Sequence, residues 1–287
     1  MIAQSYSAMG YSAMATRHSE SNILRVRQRL GKYRIERRIA QGGFANVYQA
    51  LDTIEGVRVA LKMPHHFNVT ANMLDTFQRE ARLVAKLDHP NILPLKDASF
   101  IDGRFVITSR LGEKTLADRL RKRVSFKTAL DLIEQMIAAV AYAHQNRIIH
   151  CDIKPENMIL LPDGRLQLTD FGIAKVAQRT IVKTIIASGS GTVGYMAPEQ
   201  AMGRPSARSD VFAMGLLSYR ILAGTLPEWP YQWPPRGYAT LKRKAHPDLI
   251  AMLRKALEMQ PNRRYRDAGD MLAAFKRAKR RCLRATR

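Results

Sequence analysis

The chain has 287 residues, 46% of them hydrophobic, and a formal net charge of +23 from 47 Lys+Arg against 24 Asp+Glu. That length and apolar content suit one large domain or two closely packed lobes, and no stretch approaches the roughly 20 consecutive apolar residues of a membrane-crossing helix. Two cysteines, Cys151 and Cys282, are too few for a disulfide framework and read as reduced thiols.

The opening MIAQSYSAMGYSAMATRHSESN lacks the basic start and apolar run of a secretory signal, so a soluble, cytoplasmic protein is the expectation. Residues 1 to about 22 show little periodicity and read as a loose tail, with Met9 and Met14 leaving the start codon open. The folded part is expected to begin near Tyr33, which makes 1–32 a flexible extension. YRIERRIA and NVYQAL are β-prone runs joined by the turn QGGFA, and RVALKM follows the polar turn DTIEG as a third antiparallel strand. Asn72 to Leu87 reads as a helix with Phe77, Ala81, Leu83 and Leu87 among its apolar positions, stopped by His89-Pro90-Asn91. IDGRFVIT carries an Asp-Gly turn into a further strand.

After Gly112 the pattern is mostly helical. Ser125 to Gln145 places Phe126, Ala129, Leu130, Ile133, Met136, Ile137, Val140 and Ala141 at helical spacing. Short strands at Asn157–Leu161 and Leu166–Thr169 flank Pro162-Asp163-Gly164. Later helices are expected over Ser209–Ala223, Pro247–Glu258 and Ala268–Arg281. A small sheet-rich lobe followed by a larger helical one is an α+β architecture.

The first element with chemical content is Ala40-Gln41-Gly42-Gly43-Phe44-Ala45-Asn46-Val47, a turn between strands where glycine lets backbone N–H groups approach phosphate oxygens. Most Gly-Gly pairs between strands are plain turns. Next, Val59-Ala60-Leu61-Lys62 sets a cation on a strand otherwise built for burial, which calls for a counter-charge such as Glu80. An exposed Lys and an exposed helix Glu is the alternative. Then come His150-Cys151-Asp152-Ile153-Lys154-Pro155-Glu156-Asn157 and Asp170-Phe171-Gly172. In-line phosphoryl transfer needs an acceptor for the hydroxyl proton, hard oxygen ligands for a metal, and positive charge on the migrating group. Asp152 suits the first role, Asn157 and Asp170 the second, and Lys154 the third.

In order and spacing these motifs resemble the eukaryotic-like protein kinases, in particular the bacterial Ser/Thr kinases, over about residues 33 to 281. The resemblance implies a bilobal fold with an N-lobe over 33–108, a hinge over 109–112, a C-lobe over 113–281 and a basic tail at 282–287. ATP and Mg2+ are its implied cofactors, bound in the cleft between lobes. It implies that Ala40, Gln41, Gly42, Gly43, Phe44, Ala45 and Val47 form the phosphate loop and adenine roof with Ala60. Lys62 would contact the α- and β-phosphates and pair with Glu80, Thr108 would stand behind the adenine, and Ser109 to Leu111 would form the hinge. Asp152 would be the catalytic base, Lys154 would neutralise the transferred phosphate, and Asn157 and Asp170 would hold magnesium. Glu199 of Met196-Ala197-Pro198-Glu199 would pair with Arg264, and Asp210 would brace the catalytic loop. Lys154 and Thr192 resemble Ser/Thr rather than tyrosine kinases, so a protein hydroxyl is the implied acceptor.

The sequence departs from the family pattern in places. Ala40 and Ala45 replace loop glycines, and each added methyl is expected to weaken phosphate contact rather than abolish it. Cys151 replaces the Arg that commonly precedes the catalytic Asp, as in non-RD kinases, so activity is expected without activation-loop phosphorylation, although Thr180, Thr184, Ser188 and Ser190 offer autophosphorylation sites. Lys175, Arg179 and Lys183 suit an acidic substrate, or merely a solvated loop. Lys276 to Arg284 suits an anionic partner, nucleic acid or membrane, or a solvated basic end. The rivals to an active kinase are a pseudokinase scaffold that binds nucleotide, and an electrostatic binder of nucleic acid or membrane built on a kinase fold.

Overall fold

The computed structural model describes residues 23–41, 45–64, 78, 81, 82, 84–171 and 193–285. Expectations for 1–22, for Gly42, Gly43 and Phe44, for Glu80 and most of the Asn72–Leu87 helix, and for 172–192 lie outside the described residues. The fold is α+β, in two compact units. One holds the described residues up to Ala81 together with Leu95–Leu111, and the other holds Arg82–Pro94 together with the residues from Gly112 on.

The first unit is an antiparallel sheet of β1 (Arg29–Leu30), β2 (Tyr33–Gln41), β3 (Ala45–Asp52), β4 (Val57–Pro64), β5 (Leu95–Ile101) and β6 (Arg104–Arg110), in the order β1-β2-β3-β4-β6-β5. Strand alternation sends Tyr48, Ala50, Val59, Leu61, Met63 and Val106 to one buried face, which they share with Tyr33 and Ile35. Residues 23–32 differ from the expected loose extension. Leu24 and Leu30 are buried in this core, and the Leu24 amide donates to the Tyr48 hydroxyl at 3.1 Å. Burial of two leucines outweighs the polar, basic character of the intervening RVRQR.

In the second unit, β7 (Lys114–Thr115), β8 (Met158–Leu160) and β9 (Leu166–Leu168) form a small sheet. Residues 82–94 belong here rather than with the first sheet. Leu87 and Ile92 join the helical core, and Leu168 exchanges backbone bonds with Asn91 and Leu93. The helices are α1 (Leu116–Arg119), α2 (Phe126–Gln145), α3 (Pro198–Ala201), α4 (Ala207–Ala223), α5 (Tyr238–Lys244), α6 (Pro247–Ala256) and α7 (Ala268–Ala285). Ser125 caps α2 by accepting from the Thr128 amide, and the apolar stripe read from the sequence is its buried face. A Ser206/Ser209 capping box starts α4, and Gly224 in the left-handed region ends it. Nearly every residue of α4 is buried, which marks it as the central helix of this unit. At Gly215 it packs so near the end of α6 that a Cβ would meet the Ala256 Cβ at 3.0 Å. The aromatic run after α4 splits in role: Tyr231 and Trp233 pack on the core, while Trp229 is exposed.

Candidate active site

The centre of the site is the loop from His150 to Asn157, held from below by the first turn of α4. The Asp210 carboxylate is almost fully buried and accepts three hydrogen bonds. His150 N–H reaches Oδ2 at 2.7 Å, Cys151 N–H reaches Oδ1 at 2.8 Å, and His144 Nε2 lies 3.0 Å from Oδ2. His144 Nδ1 already accepts from the Ala268 amide, so Nε2 carries the proton and donates to Asp210. The same reasoning fixes His150. Its Nδ1 accepts from the Asp152 amide, so Nε2–H donates to the Thr169 carbonyl. Sequence reasoning named Asp210 as the brace but not His144, Thr169 or Gln200, whose amide donates to the Cys151 carbonyl at 2.6 Å. A lone His or Gln on a helix carries no periodic signal that could have exposed those roles.

This bracing holds an awkward backbone. Cys151 has φ +65° and Asp170 has the same value, a left-handed conformation that side chains other than Gly, Asn and Asp seldom take. With both its peptide groups tied to Asp210 and Gln200, Cys151 is locked in place and its side chain is buried. It presents no cation to solvent.

Above the brace, Asp152 Oδ2 accepts from Asn157 Nδ2 and from Lys154 Nζ, each at 2.8 Å. Asn157 Nδ2 also donates to the Asp152 carbonyl at 2.8 Å. Both bonds engage the amide nitrogen, which leaves Asn157 Oδ1 as its acceptor. The Asn157 carbonyl in turn accepts from the Thr169 amide at 3.0 Å, which sets Asn157 beside the residue preceding Asp170. One amide oxygen and one carboxylate are the hard oxygen donors that a magnesium ion sharing its shell with phosphates and water requires, so these residues fit that ion.

Under the loop, Glu199 meets Arg264 at 2.7 Å in an ion pair whose guanidinium is fully buried. Arg264 also donates to the carbonyls of Glu258, Met259 and Arg208, and it lies over the Phe212 ring. Burial alone would push the Glu199 carboxyl up, but the Arg264 and Ser209 hydrogen bonds outweigh it and hold the carboxyl below its usual value.

In the sheet unit, Lys62 stands opposite Val47 on one side and Ile107 on the other, and Ala60 stands opposite Gln49 and Ser109. Directly opposed residues of an antiparallel pair share a face, so Val47, Ala60 and Lys62 line the less buried face of the sheet. Ala40 pairs with Val47 and Gln41 with Asn46 at the mouth of the turn, while Ala45 is buried. Thr108 is separated from this set. It pairs with Leu61 on the opposite, fully buried face, and its hydroxyl donates to the Tyr33 hydroxyl at 3.3 Å. Ser109 and Leu111 end the unit.

Known proteins resemble this chain in sequence and fold. Residues 33–271 match the protein kinase domain family. Over 202 residues the chain is 38% identical to serine/threonine-protein kinase PrkC of Bacillus subtilis, covering 69% of this chain and 31% of that protein. It is 33% identical over 275 residues to serine/threonine-protein kinase PknA of Mycobacterium tuberculosis, covering 87% of this chain and 62% of that protein. The chain thus spans less than two thirds of the length of these curated relatives. The crystal structure of the Mycobacterium tuberculosis PknI kinase domain matches with a TM-score of 0.68 at 26% identity, covering 89% of this chain and 100% of that one. No helix among the described residues is long and apolar enough to cross a membrane. With two compact units, a braced His150–Asn157 loop and a family match over most of its length, the chain belongs to the protein kinase family.

Proposed function

We propose that this chain is a Ser/Thr protein kinase that transfers the γ-phosphate of Mg-ATP to protein hydroxyls. The observation that carries the reading is the state of Asp152. Its Oδ2 is occupied by Asn157 and Lys154, while Oδ1 makes no hydrogen bond among the described residues and is the oxygen left to receive a hydroxyl proton. Asn157 Oδ1 and the Asp170 carboxylate would hold magnesium, which when bound neutralises phosphate charge. Lys62 would take the α- and β-phosphates, with Glu80 as its counter-charge. Val47 and Ala60 would cover the adenine, with the Ala40–Ala45 turn over the phosphates and the backbone of Ser109 and Leu111 at its edge. Lys154, 2.8 Å from Asp152, would shield the transferring group.

The test is transfer of γ-labelled phosphate to a basic and an acidic acceptor protein. Label on Ser or Thr, removed by EDTA and by Asp170→Asn, is expected. Nucleotide binding without label would make the chain a pseudokinase scaffold. The same assay reads the activation class. Because Cys151 is buried and carries no charge to receive a phosphate, treating the chain as a non-RD kinase predicts rates within about threefold before and after phosphatase treatment. A rise of tenfold or more on phosphorylation would refute that.

A second reading concerns α7. Lys276, Arg277, Arg280 and Arg284 are exposed there with no acidic partner among the described residues, whereas Lys279 is tied to Asp131 and Glu134. We take this stripe as the place where an anionic partner would dock. Binding to a polyanion column that is insensitive to salt would rule it out.

A further inference from the structure

We propose that Arg220 forms an anion subsite next to the acceptor hydroxyl, where it binds a carboxylate or phosphate carried by the protein substrate. This rests on the kinase reading of the site and gives it a substrate preference.

Arg220 lies in the last turn of α4, and its Nη1 donates to the Tyr195 hydroxyl at 2.5 Å. No acid pairs with it among the described residues. A guanidinium has five N–H donors and keeps its charge at every pH of interest, so one bond to a hydroxyl leaves most of its capacity unused. Tyr195 does not supply a negative charge. Burial raises the affinity of its hydroxyl for the proton, and the pull of Arg220 does not reverse this, so the phenol is neutral at physiological pH.

Its position ties this cation to the site. Tyr195 immediately precedes the Met196–Glu199 stretch, and that stretch is anchored to the catalytic loop through Gln200 and the Cys151 carbonyl. Glu156, four residues beyond Asp152, is near enough for its charge to act on the same Tyr195 hydroxyl. The hydroxyl therefore feels the charge of the catalytic loop's Glu156 while bonded to the Arg220 guanidinium. The other cation at the loop, Lys154, is already paired with Asp152. Among the described residues Arg220 forms no ion pair, and it lies beside the segment that must receive the polypeptide around the acceptor residue. A charge so placed attracts an acidic side chain and repels a basic one.

The experiment compares kcat/KM for peptides with one acceptor Ser and Glu, Gln or Lys at each flanking position. At one or two positions the Glu peptide should exceed the Lys peptide by about tenfold in the unaltered chain. Arg220→Glu should invert that ratio, and Arg220→Lys should keep part of it. Tyr195→Phe should leave it in place, because it removes the hydroxyl and not the charge. Equal use of Glu and Lys peptides at every position, an unchanged ratio in Arg220→Glu, or its collapse in Tyr195→Phe would each overturn the proposal. Absence of transfer to any peptide would defeat the kinase reading itself. Fluorescence anisotropy of labelled Glu and Lys peptides then decides the subsite separately: an unchanged preference in Arg220→Glu would overturn it, and a lost one would support it.

Discussion

Asp152→Asn is expected to lower kcat by two to four orders of magnitude, the usual worth of a positioned general base, while nucleotide affinity changes little. The substitution is close to isosteric, and the geometry indicates that the fold will tolerate it. The amide oxygen of the new side chain can take the place of Oδ2 and accept from Asn157 and Lys154, and the Asp152 carbonyl still holds Asn157 Nδ2. What is lost is the second carboxylate oxygen, replaced by an NH2 group that cannot accept a proton. Steady-state kinetics together with calorimetric nucleotide binding and a thermal melt separate these contributions. A variant that retains more than about a tenth of the rate would move the base role elsewhere.

The second large effect is on stability. Arg264→Met should destabilise the chain by about 3–5 kcal/mol near neutral pH, because it strands a carboxylate that burial disfavours. The guanidinium also satisfies three carbonyls, so part of the loss is theirs. Urea unfolding followed by tryptophan emission measures it. The pH dependence identifies the source. The Glu199 carboxyl is held below its usual value in the folded chain, so its contribution is fully present above the unfolded value of about 4.3 and is lost as pH falls through the lower folded value. In Arg264→Met the lowering influence of Arg264 is gone, and burial raises the Glu199 value instead. Acid should then favour the folded variant, and the two stability curves should converge between about pH 5 and pH 3. A constant gap across that range would mean that the carbonyl bonds, not the ion pair, dominate.

The parts of the fold legible in the sequence were those with a strong period or a dense motif. The apolar stripe of α2 and the alternation of β3 and β4 each announce a buried face. The Glu199–Arg264 pair and the brace from Asp210 follow from the motif resemblance, and the structure contains both. Other parts carried no such signal. β5 reads LKDASFI, with Lys96 and Asp97 exposed at the sheet edge, and an edge strand has no second neighbour to enforce alternation. α5 buries only Leu241. Residues 23–32 dock through two leucines set among arginines, which no periodic reading selects. Thr108 was placed by alignment of motifs, whereas its side-chain direction depends on the β4–β6 register, a property of two strands together. Arg220 looks like an ordinary helix residue until its partner is known, because Tyr195 lies 25 positions away.

The near-complete burial of α4 also bears on how such a chain can be controlled. Asp210 sits in the first turn of a helix that is buried apart from Ala207, Arg208 and Arg220, and it grips two successive amides of the catalytic loop. The loop is therefore tied to the core, and displacing it means disturbing a buried helix. An inhibitor or effector that works by shifting Asp152 would have to break the buried hydrogen bonds from Asp210 and Gln200. Signals that act with a few kcal/mol must instead change what approaches the loop, leaving the loop itself as a fixed template.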